Sequence, residues 1–384
     1  MAKNKNQRRF PMVATTLQGL EDVLAKELSK IGGNDIKVSK RAVRFSADQD
    51  LLYKGNLQLR TALRLLKTLK RFKAKSDDEL YEQVKGIDWT ALFDLDKTFL
   101  IRPAVSGKVF TNSHYVALKC KDAIADCFRE KLGQRPSVDS RNPNIVVHLK
   151  IWNDEVILSL DSSGQPLNKR GYRQAASAAP LNECLAAGAL LLAGYEGKRN
   201  LVDGMCGSGT ISIEAAMIAN NISPGLLRDE FAFMHWNDFD EDLYQIIHRA
   251  TVNRIKENPL KIVGYEKEFN TLSMAREAAE TAGVNELVDF RLGSFFEEDP
   301  LPLPAIVVMN PPYGERLKER KIESFYERIG AKLKKDYSGY TAWVLSANEE
   351  AMYKIGLRTS ETFHLMNGKL PTKFSAYKMY RGSK

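Results

Sequence analysis

The spacing of hydrophobic and polar residues changes along the chain, and these changes predict a series of short helices and strands. In the first 50 residues, Phe10–Thr15 is an apolar run, Gly19–Ile31 has apolar residues at helical spacing, and Ile36–Phe45 alternates. Further on, Ile145–Leu149 and Glu155–Leu160 alternate on either side of an Asn-Asp pair, which predicts a hairpin. The first part of the chain is therefore expected to mix short helices and strands.

Residues Leu51–Ser76 form the densest basic segment, with eight Lys or Arg and no acid. Leucines recur there at helical spacing, so we expect a helix. One face of it would carry four cations, at i, i+4, i+7 and i+11: Arg60, Arg64, Lys67 and Arg71. Like charges at this spacing destabilise an isolated helix, and a bound polyanion would relieve the repulsion. The alternative is a solvated face that its leucines hold in place.

The second part of the chain alternates apolar strands with helices. Strands are expected at Asn200–Met205, Lys261–Tyr265, Val288–Leu292, Ala305–Met309 and Thr341–Ser346. Helices are expected at Leu185–Leu192, Ser208–Ala219, Asn270–Ala282 and Ile322–Lys335, and a terminal antiparallel strand pair at Glu361–Met366 and Ser375–Tyr380. This alternation predicts a doubly wound, largely parallel α/β sheet with both faces covered. The segment Ser162–Ala179, rich in Ser, Gly and Ala, is the expected boundary between the two parts.

Composition narrows the class of protein. The 384 residues are 43% apolar and 27% charged, which excludes wholesale disorder and a fibrous protein. The four cysteines form no CxxC pair, so neither a zinc ribbon nor a disulfide framework is favoured, and we expect no metal. The most apolar stretch, Leu185–Tyr195, is too short to cross a bilayer, and no signal-peptide pattern opens the chain. A soluble, cytoplasmic protein without a membrane partner is the expectation.

The net charge of +9 is unevenly distributed. Residues 1–160 hold 29 Lys and Arg against 19 Asp and Glu, and the other 224 residues hold 28 against 29. Such asymmetry indicates a basic module joined to a nearly neutral one, and polyanions are the usual partners of basic modules. The alternative is an excess of charge that only keeps the protein in solution.

A glycine-containing loop, DGMCGSGT at 203–210, follows the first predicted strand of the second part and opens a helix. Gly207 and Gly209 permit a tight turn and close approach of a ligand. No Lys follows Gly209, and position 212 is not glycine, so neither a P-loop nor a dinucleotide fingerprint is present. Asp203 at the strand end would repel a phosphate and suits an ammonium group or free hydroxyls. The alternative is a connection without a ligand.

Glu266 ends the second strand of this part, where a carboxylate can accept hydrogen bonds from ribose hydroxyls. Alone it would be equally typical of a surface acid, but Asp203 on the neighbouring strand end favours a binding role.

The tetrapeptide Asn310-Pro311-Pro312-Tyr313 follows the fourth strand, at the edge where such sheets place their sites. The prolines stiffen the turn and remove two N–H donors. The amide oxygen of Asn310 and a proline carbonyl can both accept from one amine, and the Tyr313 ring can stack on a flat base. The pattern therefore indicates a planar exocyclic amine as the reacting group, and a plain strand–turn is the alternative.

These motifs resemble those of S-adenosylmethionine-dependent amino-methyltransferases, and the whole chain from about Phe10 resembles the bacterial 23S rRNA guanine-N2 methyltransferases. The family resemblance rests on VFTNSHYVALKCKDAIADCFRE (109–130), RPSVDSRNPNIVVHL (135–149), LNKRGYR (167–173), APLNECLAA (179–187) and NPPYGERL (310–317). It implies a Rossmann-like methyltransferase domain at 163–384, preceded by an α+β ferredoxin-like segment at 1–55 and a THUMP RNA-binding domain at 56–162.

The resemblance also implies roles for matching residues. The catalytic set is Asn310, Pro311, Pro312 and Tyr313. The set expected to bind S-adenosylmethionine is Asp203, Met205, Cys206, Gly207, Ser208, Gly209, Thr210, Glu266, Ser294, Asn310 and Pro180. Ser294 departs from the family pattern, which usually has an acid there for the adenine amine. RNA, in 23S rRNA or an assembly intermediate, is the implied partner.

Two further groups of residues have open roles. Arg228, Phe231, Phe233 and Trp236, in the segment between Asp203 and Glu266, would form a lid, an RNA contact or a small core of their own. His114 and Tyr115 would stack on RNA or have a structural role.

Three alternatives to the 23S rRNA hypothesis stay open at the level of sequence. They are a tRNA guanine-N2 methyltransferase, a DNA adenine-N6 methyltransferase, and a non-catalytic RNA-binding assembly factor. The chain ends just past the terminal strand pair, so a single activity is expected.

Overall fold

Two seven-stranded sheets, one in each half of the chain, organise the structure, a computed structural model that describes residues 9–173, 180–313 and 319–380. Two parts of the motifs quoted above, Ala179 and the residues after Tyr313 in NPPYGERL, lie outside the described residues. Within the described residues, every helix is too short or too polar to span a membrane.

The N-terminal sheet has the strand order β2-β3-β1-β4-β7-β6-β5. Its strands are β1 (Phe10–Thr16), β2 (Asn34–Ser39), β3 (Ala42–Ala47), β4 (Ala62–Lys73), β5 (Phe99–Ser106), β6 (Ile145–Trp152) and β7 (Glu155–Asp161). The helices that accompany it are α1 (Glu21–Lys30), α2 (Gln49–Gln58), α3 (Asp77–Lys85) and α4 (Ser113–Leu132). All neighbours pair antiparallel except β5 and β6, which are parallel. The predicted hairpin is confirmed, and Asn153 in its turn has a positive φ of 56°.

The prediction of a basic helix over Leu51–Ser76 is wrong. Helix α2 ends at Gln58, and the segment that carries Arg64, Lys67 and Arg71 is the long strand β4. The leucines that suggested a helix, Leu63, Leu66 and Leu69, are half-buried in this strand, and the fully buried residues are Ala62, Leu65 and Thr68. Because β4 is partly covered on both faces, its leucines do not alternate strictly with polar residues, and their spacing imitates a helix. The four cations therefore share no helical face.

β4 lies at the centre of the N-terminal sheet, between β1 and β7. The predicted domain boundary at residue 55 falls inside α2 rather than in a linker.

The C-terminal sheet has the order β10-β9-β8-β11-β12-β14-β13. Its strands are β8 (Asn200–Asp203), β9 (Ile262–Glu266), β10 (Val288–Leu292), β11 (Ala305–Met309), β12 (Thr341–Ser346), β13 (Thr359–Asn367) and β14 (Leu370–Lys378). Its helices are α5 (Glu183–Leu192), α6 (Thr210–Ala219), α7 (Glu241–Val252), α8 (Phe269–Thr281), α9 (Glu319–Asp336) and α10 (Glu349–Tyr353). The first five strands of the order are parallel, and β14 and β13 are antiparallel. The predicted doubly wound sheet and its terminal strand pair are confirmed.

The aromatic segment between Asp203 and Glu266 forms core, as one of the three hypotheses held. Phe231, Phe233 and Trp236 are buried in the same apolar cluster as the N-terminal sheet. The guanidinium of Arg228 donates to four backbone carbonyls, those of Ser163, Gln165, Pro166 and Lys169. The lid and RNA-contact hypotheses are not supported, because these side chains are used inside the protein.

Buried polar contacts join the two halves. Arg60, between α2 and β4, donates to the carbonyl of Met217 at 3.3 Å and to that of Ile222 at 2.7 Å, at the end of α6. Arg170 donates to the Arg60 carbonyl at 2.5 Å and forms an ion pair with Glu214 on α6 at 3.2 Å. Glu27 on α1 accepts the backbone N–H groups of Arg60 and Thr61. Burial raises the pKa of Glu27, and the hydrogen bonds from Thr61 and Arg60 oppose that rise.

Candidate active site at the carboxyl edge of the parallel sheet

Three neighbouring parallel strands bring the predicted site residues to one edge. Asp203 on β8 is in register with Gly264 on β9 and Val308 on β11. Glu266 and Asn310 each follow two residues later, so all three side chains lie at the carboxyl ends of adjacent strands. This is the edge at which open α/β sheets bind their ligands.

Asp203 is fully buried, and Ser212 on α6 donates to its Oδ2 at 2.9 Å. The other oxygen, Oδ1, is buried without a hydrogen-bond partner among the described residues. Burial raises the pKa of Asp203 to about 7, and the bond from Ser212 opposes that rise. An unpaired buried carboxylate oxygen is costly, so the site favours a cationic or hydrogen-bond-donating ligand. Sequence reasoning missed Ser212, because a serine inside a helix carries no motif signal.

The loop after Asp203 is held by backbone bonds. Cys206 donates its N–H to the Tyr265 carbonyl at 2.9 Å, and Gly209 donates to the Cys206 carbonyl at 2.8 Å. Gly207 and Gly209 both have positive φ, 54° and 78°. A Cβ on Gly209 would lie 2.6 Å from the Phe290 ring, whereas one on Gly207 would meet no atom within 4 Å. Gly209 therefore packs against the sheet, and Gly207 leaves open space.

The other predicted residues of this loop differ in exposure. Met205 and Ser208 are half-buried, and Cys206 is buried with a thiol pKa well above its ordinary value because of desolvation. Thr210, the first residue of α6, is buried, and its hydroxyl accepts a hydrogen bond from Arg173. The Thr210 hydroxyl thus already has a protein partner.

Arg173 bridges the loop to the segment that precedes α5. Besides Thr210, it contacts the Leu181 carbonyl at 3.1 Å and Glu183 at 2.7 Å. Pro180, predicted to lie against the cofactor, is exposed beside this bridge and lines a cavity of about 710 Å³ with Arg173 and Glu183. Sequence reasoning assigned Arg173 no role, although it lies in the LNKRGYR motif.

Glu266 has both carboxylate oxygens in use. Oε2 accepts the Gly207 N–H at 3.1 Å, and Oε1 accepts the N–H groups of Lys267 and Glu268 at 2.8 and 2.9 Å. A carboxylate has about four acceptor positions, so one remains, on Oε2. Glu266 thus fixes the glycine loop and keeps one acceptor for a ligand hydroxyl.

Ser294 follows β10 at the same edge and is buried. Its Oγ accepts the Phe296 N–H at 3.3 Å, which closes a turn. A hydroxyl has two acceptor positions, so one is left for an amine.

The Asn-Pro-Pro-Tyr turn has two of its carbonyls occupied. Tyr326 on α9 donates to the Pro312 carbonyl at 3.3 Å, and Asn348 donates to the Tyr313 carbonyl at 3.1 Å. The Tyr313 hydroxyl donates to Oδ1 of Asn310. The Pro311 carbonyl accepts no hydrogen bond from the described residues, and Oδ1 of Asn310 has a second acceptor position. Among the described residues, the Pro311 carbonyl is therefore the one carbonyl of Pro311–Tyr313 without a donor, and Asn310 Oδ1 keeps one acceptor position beside it.

Tyr326, Ser346 and Asn348 support the turn from behind, and sequence reasoning missed all three. The Tyr326 hydroxyl lies 2.7 Å from the buried Ser346 Oγ, which also accepts the Asn348 N–H at 3.1 Å. Tyr313 has its pKa raised by burial to about 12, so it stays a neutral hydrogen-bond donor. An open cleft of about 430 Å³ beside Tyr313 is lined by Asn348, Glu349 and Leu370, among others.

Comparison with known proteins fits this geometry. The family described as RMKL-like, methyltransferase domain matches residues 170–376, more than half of the chain. The chain belongs to the RMKL-like methyltransferase family. The THUMP domain family matches residues 74–161, and the RlmL ferredoxin-like domain matches residues 11–66 of this RMKL-like chain. The predicted fold class, a Rossmann-like methyltransferase domain preceded by ferredoxin-like and THUMP domains, is confirmed.

Individual relatives cover nearly all of this RMKL-like chain. The ribosomal RNA large subunit methyltransferase K/L of Photobacterium profundum is 36% identical over 97% of the chain, which spans 53% of that relative. A putative RNA methyltransferase of Synechocystis is 35% identical over 96% of the chain and 97% of its own length. The crystal structure of a putative methyltransferase complexed with SAH has 28% identity and a TM-score of 0.88, covering 98% of this chain and 100% of that one. The chain thus spans about half the length of the K/L relatives it matches.

The cations predicted to bind RNA are separated in this RMKL-like protein. Arg60 is half-buried and hydrogen-bonded at the contact between the halves, and Arg64 forms an ion pair with the buried Asp161. Lys67 forms an ion pair with Asp238 at 2.6 Å and lies over the Phe10 ring. Arg71 is exposed. Only Arg71 of the four thus presents a free charge to solvent.

His114 and Tyr115 are exposed in the first turn of α4, and their contact with RNA stays a prediction. Within the ranges that the structure describes, no group of three or more His, Cys, Asp or Glu is arranged to hold a metal ion.

Proposed function

We propose that this RMKL-like protein transfers a methyl group from S-adenosylmethionine to the N2 amine of a guanine in large-subunit ribosomal RNA. The observation that carries the proposal is the pair of available acceptors at Asn310 and Pro311, directly after β11, the strand next to that of Asp203. The K/L relatives named for the large ribosomal RNA support the substrate, and the SAH-bound relative supports the cofactor.

The residues present fit S-adenosylmethionine. The unpaired buried Oδ1 of Asp203 suits the ammonium of the methionine part, and Gly207 leaves space for its close approach. Glu266 retains one acceptor for a ribose hydroxyl, and Ser294 retains one for the adenine amine. The cofactor supplies a methyl group on a sulfonium, which is a good leaving group. The protein therefore needs to bind, orient and desolvate rather than to activate a leaving group.

Asn310 and Pro311 would act on the amine. The N2 lone pair of guanine is delocalised into the ring and is a poor nucleophile. When the Asn310 Oδ1 and the Pro311 carbonyl accept the two N–H groups, the nitrogen is drawn toward a tetrahedral shape and its lone pair points at the methyl carbon. The amine nitrogen would form the new N–C bond as the bond between sulfur and the methyl carbon breaks and its electron pair stays on sulfur, and the amine would then lose one proton to solvent. Positioning of this kind is worth several kcal/mol of the barrier.

The target base has to leave its stack to reach these acceptors, at a cost of a few kcal/mol. The cleft beside Tyr313 opens at the same turn. A base that enters it can stack on the Tyr313 ring while its amine meets Asn310. Tyr326 and Asn348 hold the turn rigid for this step.

Methylation of defined nucleic acids tests the proposal. Purified protein would be incubated with S-adenosylmethionine and with unmodified transcripts of 23S rRNA and of tRNA, and with duplex DNA. The products would be digested to nucleosides and measured by mass spectrometry. We expect N2-methylguanosine from the 23S transcript alone. N2-methylguanosine from tRNA alone, N6-methyladenine from DNA, or no product with any substrate would each overturn the proposal in favour of one of the alternatives.

A further inference from the structure

In the THUMP half of the N-terminal sheet, one face packs against the apolar core, and the end of the other face near the β6–β7 hairpin is exposed. Farther from the hairpin, Val146, Ser159 and Asp161 on that other face are buried. On β6 the buried residues Leu149 and Ile151 alternate with the exposed Lys150 and Trp152. The buried set joins the apolar core of this half. The exposed set therefore lies on the opposite side, which we call the open THUMP face.

Strand register places the members of this face in two rows. Arg71, Ile157 and Lys150 are successive partners across β4, β7 and β6. Lys73, Glu155 and Trp152 are successive partners in the next row toward the hairpin tip. Directly opposed residues point to the same side of a sheet, and neighbouring strands lie about 4.8 Å apart, so Arg71 and Lys150 start about 10 Å apart.

The face carries three cations, Arg71, Lys73 and Lys150, and one exposed acid, Glu155, so its net charge is positive. Arg71 and Lys150 are exposed and, among the described residues, form neither an ion pair nor a side-chain hydrogen bond. Lys73 is 69% exposed and forms a looser pair with Asp154 at 3.4 Å. Half-buried Ile157 separates the two free cations. The apolar area is thus small and flanked by cations, which disfavours a protein partner that would bury a large apolar patch.

Trp152 adds a stacking platform. Its side chain is 61% exposed, whereas Trp89, Trp236 and Trp343 are 0%, 4% and 4% exposed. An exposed tryptophan beside two free cations is the combination that binds single-stranded or looped RNA, in which phosphates meet the cations and an unpaired base meets the ring.

We propose that the open THUMP face binds RNA, with Arg71 and Lys150 on phosphates and Trp152 stacked on an unpaired base. The inference rests on the proposed function in taking RNA as the substrate, and it adds the surface that holds RNA away from the reacting base. Arg71 thus keeps the RNA-binding role that the sequence predicts for it, but on a strand of the sheet instead of a helix. Lys150 and Trp152 are new members of the RNA-binding surface.

Binding is tested without the cofactor, so that methyl transfer plays no part in the result. The affinity of the full chain for a fragment of 23S rRNA would be measured at several salt concentrations. The test variant is Arg71→Gln with Lys150→Gln, and the matched control is Lys26→Gln with Lys30→Gln, two exposed cations of α1. The loss of two phosphate contacts should lower the slope of log K against log salt by about 1.4. We expect affinity to fall about tenfold or more in the test variant only.

Tryptophan quenching gives an independent readout. Acrylamide reaches Trp152 but not the three buried tryptophans, so RNA should protect one component of the fluorescence. Trp152→Phe should abolish that component while the buried tryptophans report an intact fold. The proposal is overturned if the test and control variants bind alike, or if RNA leaves the quenching of Trp152 unchanged. A protein that binds by this face yet yields no N2-methylguanosine would instead overturn the proposed function alone.

Discussion

The two sheets have the same number of strands, but they expose different parts of themselves. The C-terminal sheet is mainly parallel, so helices cover its faces and its carboxyl edge carries Asp203, Glu266 and Asn310. The N-terminal sheet is mainly antiparallel, with helices on one side and Lys150 and Trp152 exposed on the other. At the edge of a parallel sheet, the loops that follow several strands lie side by side and can surround a small ligand. A face offers a broad array of side chains and suits an extended polymer.

The comparison implies a division of tasks. Changes at the edge should alter methyl transfer and cofactor binding and leave RNA affinity intact. Changes on the open face should alter RNA affinity. The following predictions test the role of the carboxyl edge in methyl transfer and cofactor binding, from the largest expected effect to the smallest.

Asn310→Ala should lower the rate of methyl transfer by about 10²–10³-fold, because the amine loses one of the two acceptors that orient it. Its affinity for cofactor and for RNA should stay within about twofold of the parent. The control is Asn285→Ala, an exposed asparagine before β10 at the opposite edge. Single-turnover rates and separate binding measurements check this. An equally large fall in RNA affinity would contradict the claim that changes at the edge leave RNA binding intact.

Gly209→Ala should lower the free energy of unfolding by about 2–4 kcal/mol, because its Cβ would overlap Phe290 and its backbone is left-handed. Gly207→Ala, with the same sign of φ but no neighbour within 4 Å, should cost about 1 kcal/mol. Thermal or urea unfolding of the cofactor-free protein measures both. Equal losses would show that Gly209 does not pack against the sheet as described.

Tyr326→Phe should lower turnover about tenfold, since the Pro312 carbonyl and the Ser346 hydroxyl both lose a partner and the turn loosens. Cofactor affinity should not change. Tyr353→Phe, 76% exposed on α10, is the control. If turnover is unchanged while stability falls, Tyr326 supports packing only and does not position the turn.

Cofactor affinity should rise about fivefold from pH 6 to pH 7 and level off above pH 7.5. Burial raises the pKa of Asp203 to about 7, and the charged form is the one that attracts an ammonium group. Calorimetry in buffers of different ionisation enthalpy should therefore show proton release on binding near pH 6. Asp203→Asn should bind more weakly and lose the pH dependence. An affinity that falls as pH rises would contradict the assigned contact.

The same pKa has a consequence for the cofactor-free protein. The buried carboxyl keeps its proton to a higher pH in the folded state than in the unfolded chain. Asp203 therefore makes the folded protein less stable as pH rises from about 4 to 7. Unfolding of the parent and of Asp203→Asn over that range checks the sign.

The parallel sheet could be predicted from sequence almost residue by residue. Val288–Leu292, Ala305–Met309 and Thr341–Ser346 have the bounds that the pattern predicts. The last two are short, mostly buried apolar runs, as expected of inner parallel strands, and Val288–Leu292 is an edge strand in which Val288 and Phe290 are buried and Asp289 and Arg291 are exposed. Asp203, Glu266 and Asn310 could be placed at one edge from the sequence because each lies at, or directly after, the carboxyl end of a predicted parallel strand. Family motifs supplied the rest of the site's chemistry.

Other features lay beyond the sequence pattern for identifiable reasons. The pattern predicts a helix at β4 because Leu59, Leu63, Leu66 and Leu69 have helical spacing, and a strand that is partly covered on both faces does not need strict alternation of apolar and polar residues. Ser212, Tyr326 and Arg173 act through side-chain contacts that form only in the folded structure, and such contacts leave no motif in the sequence. The open THUMP face was invisible because its cations come from β4 and β6, whose pairing through β7 only the fold reveals.

The hydrogen bonds of Arg60 and the ion pair of Arg170 join the half that carries the open THUMP face to the half that carries the candidate active site. If both proposals hold, this fixed joint sets the distance and angle between the RNA segment held by the open THUMP face and the base that reacts. A guanine would then be reached only in an RNA whose fold places it at that distance and angle. The shape of the RNA would select one position among many chemically identical guanines.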